Sequence, residues 1–129
     1  MGEKIFIDAN IFLEIFLKDE KSEACKGFLR SLKDENIFAK TSDFIIYSCL
    51  IHAQRNMKGT KSIKEILQFF NSLSNINILR PTIEEMRMAA EIMDRYKLDF
   101  DDSLVVACMK INEITKLASL DRHFDKVKS

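Results

Sequence analysis

The sequence predicts an α/β fold, a three-layer α/β/α sandwich around a short central parallel sheet of four or five strands. Two observations support this prediction. Short apolar segments rich in β-branched residues alternate along the chain with longer segments of helical periodicity, as in sheets built from strand–helix–strand crossovers. The first short segment, KIFID at residues 4–8, is apolar up to its carboxylate, which is typical of a strand buried on both faces.

One domain is expected over residues 1–129, because a single proline and three glycines leave little material for a linker. The predicted strands are Lys4–Asp8, Ile37–Ala39, Ile76–Leu79 and Lys116–Ser119. The predicted helices are Asn10–Leu17, Glu20–Leu32, Phe44–Met57, Ile63–Leu73, Thr82–Tyr96 and Asp101–Asn112.

The helices are predicted from their length, their apolar faces and their first residues. The segment Phe44–Met57 contains FIIYSCLI, which has strand propensity, but its length favours a helix. Ser62 and Glu65 have the spacing of a capping box, in which each side chain bonds the other's backbone N–H. Thr82 and Glu85 have the same spacing. We therefore expect a helix to begin at both places.

The charges of the chain balance, with 20 Lys and Arg against 20 Asp and Glu. A protein that binds nucleic acid by electrostatics alone is usually basic, so any such contact would need a local patch or metal ions. Arg55, Lys58 and Lys61 form a basic stretch around a turn and are candidates for contact with a phosphate backbone. The alternative interpretation is an ordinary solvated helix face.

The cysteines Cys25, Cys49 and Cys108 are predicted to be buried small apolar residues. An odd number without CxxC spacing fits neither a disulfide framework nor a zinc ribbon and favours a reducing compartment. The start of the chain lacks the long apolar stretch of a signal peptide, and the longest apolar runs are too short to span a bilayer. We expect a cytoplasmic protein without a membrane partner.

Five aspartates are expected at one edge of the sheet. Asp8 ends the first predicted strand, and Asp121 follows the fourth. Asp99, Asp101 and Asp102 lie at the start of the last predicted helix. In a parallel sheet, the carboxyl ends of the strands and the starts of the following helices share the edge where ligands bind. We therefore expect these carboxylates to lie near one another.

Crowded carboxylates point to a metal site. Carboxylates within a few ångströms repel one another unless one takes up a proton or a cation lies between them. Hard divalent ions such as Mg²⁺ or Mn²⁺ favour all-oxygen sites, and a pair of them can support phosphodiester cleavage. Plainer interpretations exist, because a strand-end aspartate often forms a turn. Asp99 or Asp101 could simply cap the helix that follows.

Four segments carry these residues or lie between them: IFIDANIFLEIF, TSDFIIYSCL, KLDFDDSLVVACMK and ASLDRHFDKV. In this order they resemble the motifs of the PIN domain family, and the nearest subgroup is the VapC-like toxin ribonucleases. The resemblance covers nearly the whole chain. It implies a PIN-like sandwich and a Mg²⁺- or Mn²⁺-dependent endoribonuclease that hydrolyses RNA phosphodiesters, as the toxin of a toxin–antitoxin pair.

The resemblance also implies roles for individual residues. Asp8, Asp102 and Asp121 would be the catalytic residues and the metal ligands. Asp101 or Asp99 would supplement them.

Asn10 would orient Asp8 or a bound water, although it could equally be the N-cap of the next helix. The implied partners are an RNA substrate, an antitoxin-like protein and a second copy of the chain in a homodimer.

The chain departs from the family pattern at Ser48, where the second motif usually has a glutamate. Asp43 is acidic but lies about one turn earlier, where it could cap the helix instead. A missing carboxylate would weaken metal binding or restrict the site to one ion. One alternative function is therefore a catalytically weak or inactive PIN module that binds RNA or a protein. Another is a phosphotransferase with Asp8 as its nucleophile, because DAN loosely resembles a DxD phosphatase motif.

Overall fold

The computed structural model describes residues 2–57 and 59–120. The strands are Glu3–Ile7 (β1), Ile37–Ser42 (β2), Ile76–Leu79 (β3) and Lys116–Ala118 (β4). Within the described residues they form one parallel sheet in the order β3-β2-β1-β4. The predicted α/β sandwich is confirmed, with four strands in this part of the chain.

Six helices of the described segments flank the sheet. They are Ala9–Phe16 (α1), Ser22–Ser31 (α2), Asp43–Asn56 (α3), Lys61–Ser72 (α4), Ile83–Tyr96 (α5) and Phe100–Ile111 (α6). The helix predicted over FIIYSCLI is confirmed as α3. The contacts divide the helices into two groups, because α1 packs on α2 and α3, α3 packs on α4, and α5 packs on α6. None of these helices is long and apolar enough to cross a bilayer.

The central strand β1 is covered by neighbours on both sides. It pairs with β2 and with β4, and Phe6 and Ile7 have no exposed surface. This burial agrees with the apolar segment that predicted a doubly covered strand. The strand ends at Asp8, so the buried ladder fixes the backbone from which that carboxylate projects.

An aromatic cluster fixes α1 against α4. The rings of Phe12 and Phe70 meet edge to face with centroids 4.8 Å apart, and those of Phe16 and Phe69 meet in the same manner at 5.1 Å. Each such pair contributes about 0.5 to 1.5 kcal/mol beyond the burial of its area. Because α1 begins directly after Asp8, this packing also holds the first turn of α1 in place beside the end of β1.

The predicted capping box of Ser62 and Glu65 is wrong. Helix α4 already begins at Lys61, and Thr60 precedes it without a side-chain hydrogen bond to the first turn. Ser62 therefore lies inside the helix, where its hydroxyl cannot act as the N-cap. The local spacing of Ser62 and Glu65 therefore does not determine where α4 starts.

The predicted capping box of Thr82 and Glu85 is confirmed only for the Thr82 side chain. Thr82 is the N-cap of α5, and its hydroxyl oxygen accepts a hydrogen bond from the Glu85 N–H at 3.2 Å. The Glu85 carboxylate is buried and accepts a hydrogen bond from the Cys108 thiol of α6, with 3.4 Å between Sγ and Oε2. Tertiary packing between α5 and α6 thus draws this side chain inwards.

Candidate active site at the carboxyl edge of the sheet

Asp8 lies at the junction of β1 and α1 and is 7% exposed. Its backbone N–H donates to the Ala118 carbonyl at 3.0 Å, which continues the β1–β4 ladder by one residue. Its Oδ1 atom accepts from the Ala9 N–H at 2.8 Å, and Asp8 is the N-cap of α1. The prediction that Asn10 caps this helix is therefore wrong, because the chain enters the helix two residues earlier.

The side chain of Asn10 instead contacts the residues that follow β4. Asn10 Oδ1 accepts from the Leu120 N–H at 2.9 Å, and Asn10 Nδ2 donates to the Ser119 hydroxyl oxygen at 3.1 Å. The Ser119 hydroxyl lies 2.9 Å from Asp8 Oδ2 and donates to it. Asn10 thus reaches Asp8 through Ser119. The sequence prediction did not include Ser119, although its place inside ASLDRHFDKV was a signal for it.

Helix α3 passes close to the same end of β1. The Sγ atom of Cys49 lies 3.9 Å from the Ala9 carbonyl oxygen. Burial, and secondly the charge of Asp8, raise the pKa of the Cys49 thiol to about 12. Ser48, one residue earlier, is partly buried. The position where the second motif usually has a glutamate therefore belongs to the turn of α3 that borders Asp8.

Asp43 does not cap α3, which contradicts that part of the prediction. The N-cap is Ser42, whose hydroxyl oxygen accepts from the Ile45 N–H at 3.4 Å. Asp43 lies in the first turn, where a negative charge is favourable for the helix dipole. Burial raises the pKa of Cys108 to about 12, with further contributions from Glu85 and from the charge of Asp43. The charge of Asp43 therefore contributes to the raised pKa of the buried Cys108 thiol.

Three predicted aspartates lie at the start of α6 and differ in exposure. Asp99 and Asp101 are exposed, whereas Asp102 is partly buried. Asp101 Oδ1 accepts from the Asp102 N–H at 3.0 Å. Asp99 occupies the N-cap position without a side-chain cap hydrogen bond, and its carbonyl accepts from the Ser103 N–H at 2.9 Å. Because Asp102 is less exposed than Asp99 and Asp101, it is the better candidate for a site carboxylate.

The described residues do not test whether the five predicted aspartates lie near one another. Asp121 lies outside the described residues. Among residues 2–57 and 59–120, no three His, Cys, Asp or Glu side chains lie close enough together to hold a metal ion. The described residues contribute Asp8 and Asp102 to the predicted set, and its completion stays a prediction.

The basic candidates lie beside an apolar groove. Arg55 and Lys61 are exposed, and Lys58 is outside the described residues. The groove between the end of α3 and the start of α4 has a volume of about 500 Å³. Its lining residues are Leu50, Ile51, Gln54, Met57, Gly59, Thr60 and Ile63. On the neighbouring turn of α3, the side chain of Tyr47 is 58% exposed. An apolar surface of this kind suits a protein partner better than a phosphate backbone.

Comparison with known proteins gives a consistent result. The family model of the PIN domain matches residues 5–129. The chain is 26% identical over 140 residues to Ribonuclease VapC6 of Methanocaldococcus jannaschii, which covers 95% of this chain and 92% of that protein.

Two solved structures share the fold. The crystal structure of Mycobacterium tuberculosis VapC20, described as a toxin that cleaves the sarcin–ricin loop, has a TM-score of 0.77 at 16% identity. That superposition covers 97% of this chain and 99% of the other. A toxin–antitoxin complex from Klebsiella pneumoniae has a TM-score of 0.66 at 15% identity, covering 93% and 89% of the two chains.

Proposed function

Because this chain belongs to the PIN domain family, we propose that it is a Mg²⁺- or Mn²⁺-dependent endoribonuclease that hydrolyses RNA phosphodiesters. The observation that carries the proposal is the environment of Asp8, a buried carboxylate at the end of the central strand with hydrogen bonds to both oxygens. The similarity of this chain to Ribonuclease VapC6 over nearly the whole chain supports the same activity.

The donor chemistry fits a hard divalent ion. Carboxylate oxygens are the ligands that Mg²⁺ and Mn²⁺ favour, and the Asp8 carboxylate lies directly after the carboxyl end of β1. In this proposal, Asp8, Asp102 and Asp121 would hold the ion, and Asp101 or Asp99 would supplement them. When bound, such an ion lowers the pKa of a coordinated water and offsets negative charge that develops on the phosphate.

The chain's own residues would prepare this chemistry by fixing the carboxylates before substrate arrives. Asp8 is held from both sides, by the first turn of α1 and by Ser119. Asp102 lies in the first turn of a helix whose next six residues are all buried, so its backbone has little freedom to move. Pre-organised charges lose no free energy to reorganisation when the reaction occurs.

The biological role that we propose is the toxin of a toxin–antitoxin pair. The fold shared with VapC20 and with a toxin–antitoxin complex supports this role. The apolar groove at the end of α3 and the exposed Tyr47 beside it would suit an antitoxin-like protein or a second copy in a homodimer. Arg55 and Lys61, together with Lys58, would contact RNA phosphates. We expect the protein to work in the cytoplasm, where its three buried, free cysteines stay reduced.

One observation favours a second function. Ser48 stands where the second motif of the family usually has a glutamate, on the turn of α3 that borders Asp8. A catalytically weak or inactive module that binds RNA or a protein partner would need no carboxylate there. Calorimetric titration with Mn²⁺ separates the two functions, because an inactive module is expected to bind no ion at millimolar concentration.

Replacing single aspartates tests the nuclease directly. We expect Asp8→Asn and Asp102→Asn to reduce Mn²⁺-dependent cleavage of RNA to background, because an amide neither carries the charge nor replaces the carboxylate as a ligand. Asp94→Asn, a change on the exposed side of α5, is the matched control and should cleave as the wild type does. Full activity of either site variant, in a preparation free of contaminating nuclease, would contradict the proposal.

A further inference from the structure

The first residue of α6, Phe100, exposes an aromatic ring at the proposed metal site. Its side chain is 43% exposed, whereas the neighbouring apolar residues Leu98 and Leu104 are buried. Among residues 2–57 and 59–120, no other aromatic ring pairs with it. The ring therefore lies outside the hydrophobic core and is accessible to a ligand.

Single exposed apolar residues are ordinary on protein surfaces, so the place of Phe100 decides the argument. Asp101 and Asp102 follow it in the first turn of α6, and the Cα atoms of Phe100 and Asp102 are only about 3 Å apart along the helix axis. The side chains of a helix lean towards its start, which carries the ring over the end of α6 where Asp102 lies. Of the exposed large apolar residues in the described segments, Phe100 is the one adjacent to these proposed ligands.

The charges around the ring select the part of an RNA strand that it can meet. Asp99 and Asp101 are exposed on either side of Phe100 in sequence, and their charges repel phosphate groups. The flat face of a nucleobase carries no net charge and meets no such repulsion. Aromatic side chains bind unpaired bases by stacking on this face. A protein interface, by contrast, buries about 800 Å² on each partner, far more than one ring flanked by carboxylates offers.

We propose that Phe100 is a substrate-binding residue that stacks on an unpaired nucleobase of the RNA, next to the phosphodiester that is cleaved. This inference rests on the proposed function, because it places the base beside the proposed metal ligands. A base inside a duplex is already stacked on both faces, so Phe100 can reach bases only in loops, bulges or single-stranded ends. The stack is present before and during cleavage alike, so its loss should raise KM and leave kcat nearly unchanged.

A fluorescence measurement tests the contact without requiring cleavage. The chain has no tryptophan, so Phe100→Trp introduces a single indole at the proposed contact. We expect stopped-flow mixing with Mn²⁺ and a short, unstructured RNA oligomer to quench the indole emission, because a stacked base quenches it. A blunt RNA duplex of the same length should leave the emission unchanged. Ile111→Trp, at the other end of α6 and 44% exposed, is the matched control and should not respond to either RNA.

Steady-state kinetics measure how much the stack contributes to binding. We expect Phe100→Ala to raise KM for the RNA oligomer about 5- to 150-fold, the range for the loss of one base–aromatic stack, with kcat within about threefold of the wild type. Phe100→Tyr keeps the ring and should retain the wild-type KM. Phe100→Leu keeps apolar bulk without a ring and should not. Phe38→Ala removes a ring that is 50% exposed on β2 and is the control, with an unchanged KM.

The outcomes separate this inference from the function on which it rests. No quenching in Phe100→Trp, or equal quenching by the single strand and the duplex, overturns the stacking role, as does a wild-type KM in Phe100→Leu. If the wild type cleaves RNA in these cases, the nuclease proposal stands. If the wild type cleaves no RNA and only the single strand quenches Phe100→Trp, the nuclease proposal fails and the base contact remains. Neither cleavage nor quenching overturns both proposals.

Discussion

Cys49 of α3 lies in the electrostatic field of the Asp8 carboxylate, which is the second contribution after burial to its raised pKa of about 12. Asp8 directly follows the central strand β1, and Cys49 lies in the middle of α3. The Cys49 Sγ atom lies 3.9 Å from the Ala9 carbonyl oxygen, so this part of α3 packs beside the start of α1. Ser48 precedes Cys49 on the same turn. This relation places the turn of α3 that carries Ser48 next to the end of the central strand.

Restoring the acid of the second motif should therefore strengthen the site. We expect Ser48→Glu to lower the dissociation constant for Mn²⁺ on the order of 10-fold, because an added carboxylate raises the ligand charge. Tyr47→Glu adds the same charge one residue away at a position 58% exposed and should change the constant little. The measurement is calorimetric titration. Equal effects of the two substitutions would show that position 48 has no special access to the ion.

The aspartates at the start of α6 should differ in importance as they differ in burial. Asp102→Asn is expected to abolish cleavage, whereas Asp101→Asn should stay within about threefold of the wild type, because exposed charges interact weakly in water. Initial rates of Mn²⁺-dependent RNA cleavage decide the matter. If Asp101→Asn lowered the cleavage rate more than Asp102→Asn, Asp102 would be excluded as the principal carboxylate of this helix.

The buried thiols should be unreactive in the native protein. Burial raises the pKa of both Cys49 and Cys108 to about 12 from the ordinary value of 9.0, so neither forms appreciable thiolate at pH 8. We expect iodoacetamide to label them at pH 8 only after unfolding. The reference rate is that of a short cysteine peptide. Labelling of Cys49 or Cys108 in the folded protein at this rate would contradict the prediction.

The same shifts predict a dependence of stability on alkaline pH. Well below pH 9, the folded and unfolded states both keep these thiols protonated, and their contribution to stability does not change with pH. As pH rises from 9 to about 12, the unfolded state loses protons that the folded state retains, so the free energy of unfolding decreases. We expect the free energy of unfolding of the Cys49→Ala/Cys108→Ala variant, measured with urea and compared with its own value at pH 8, to decrease less across this range than that of the wild type.

The end of α5 offers a stabilising substitution. Lys97 has a left-handed backbone with φ 57° and ψ 47°, and its N–H donates to the Met93 carbonyl. Glycine adopts this conformation without steric cost, so we expect Lys97→Gly to stabilise the fold by about 0.5 to 1 kcal/mol. Lys64→Gly, inside α4, should have the opposite sign and cost about 1 kcal/mol. Urea unfolding of both variants measures the difference, and two losses of equal size would refute the expectation.

Much of the fold could be predicted because its elements depend on local patterns. Residues Ile76–Leu79 form β3 as predicted, and α5 ends at Tyr96 as expected. In such segments, apolar periodicity and strand propensity act in the same direction. The start of α4 was missed because Ser62 and Glu65 have the spacing of a capping box, whereas the helix already begins at Lys61.

The site could be predicted only in part. Asp8 was found because a carboxylate directly after a buried strand is a local signal. The partners of Asn10 were missed because Ser119 and Leu120 are 109 and 110 residues away in sequence. Glu85 looked like a capping residue, and only the packing of α5 against α6 brings its carboxylate to Cys108. Ser119 lies inside a recognisable motif, but a single sequence does not show which distant residues it contacts.

The hydrogen bond between Ser119 and Asp8 closes a loop of 111 residues, and the backbone bond from Asp8 to Ala118 closes nearly the same loop. Contacts of such sequence separation form late, because the entropy of closing the intervening chain must be overcome first. The hydroxyl that donates to this carboxylate is synthesised 111 residues after it. In a chain that grows from its amino end, Asp8 therefore reaches the hydrogen-bonded arrangement of the folded protein only after Ser119 has left the ribosome.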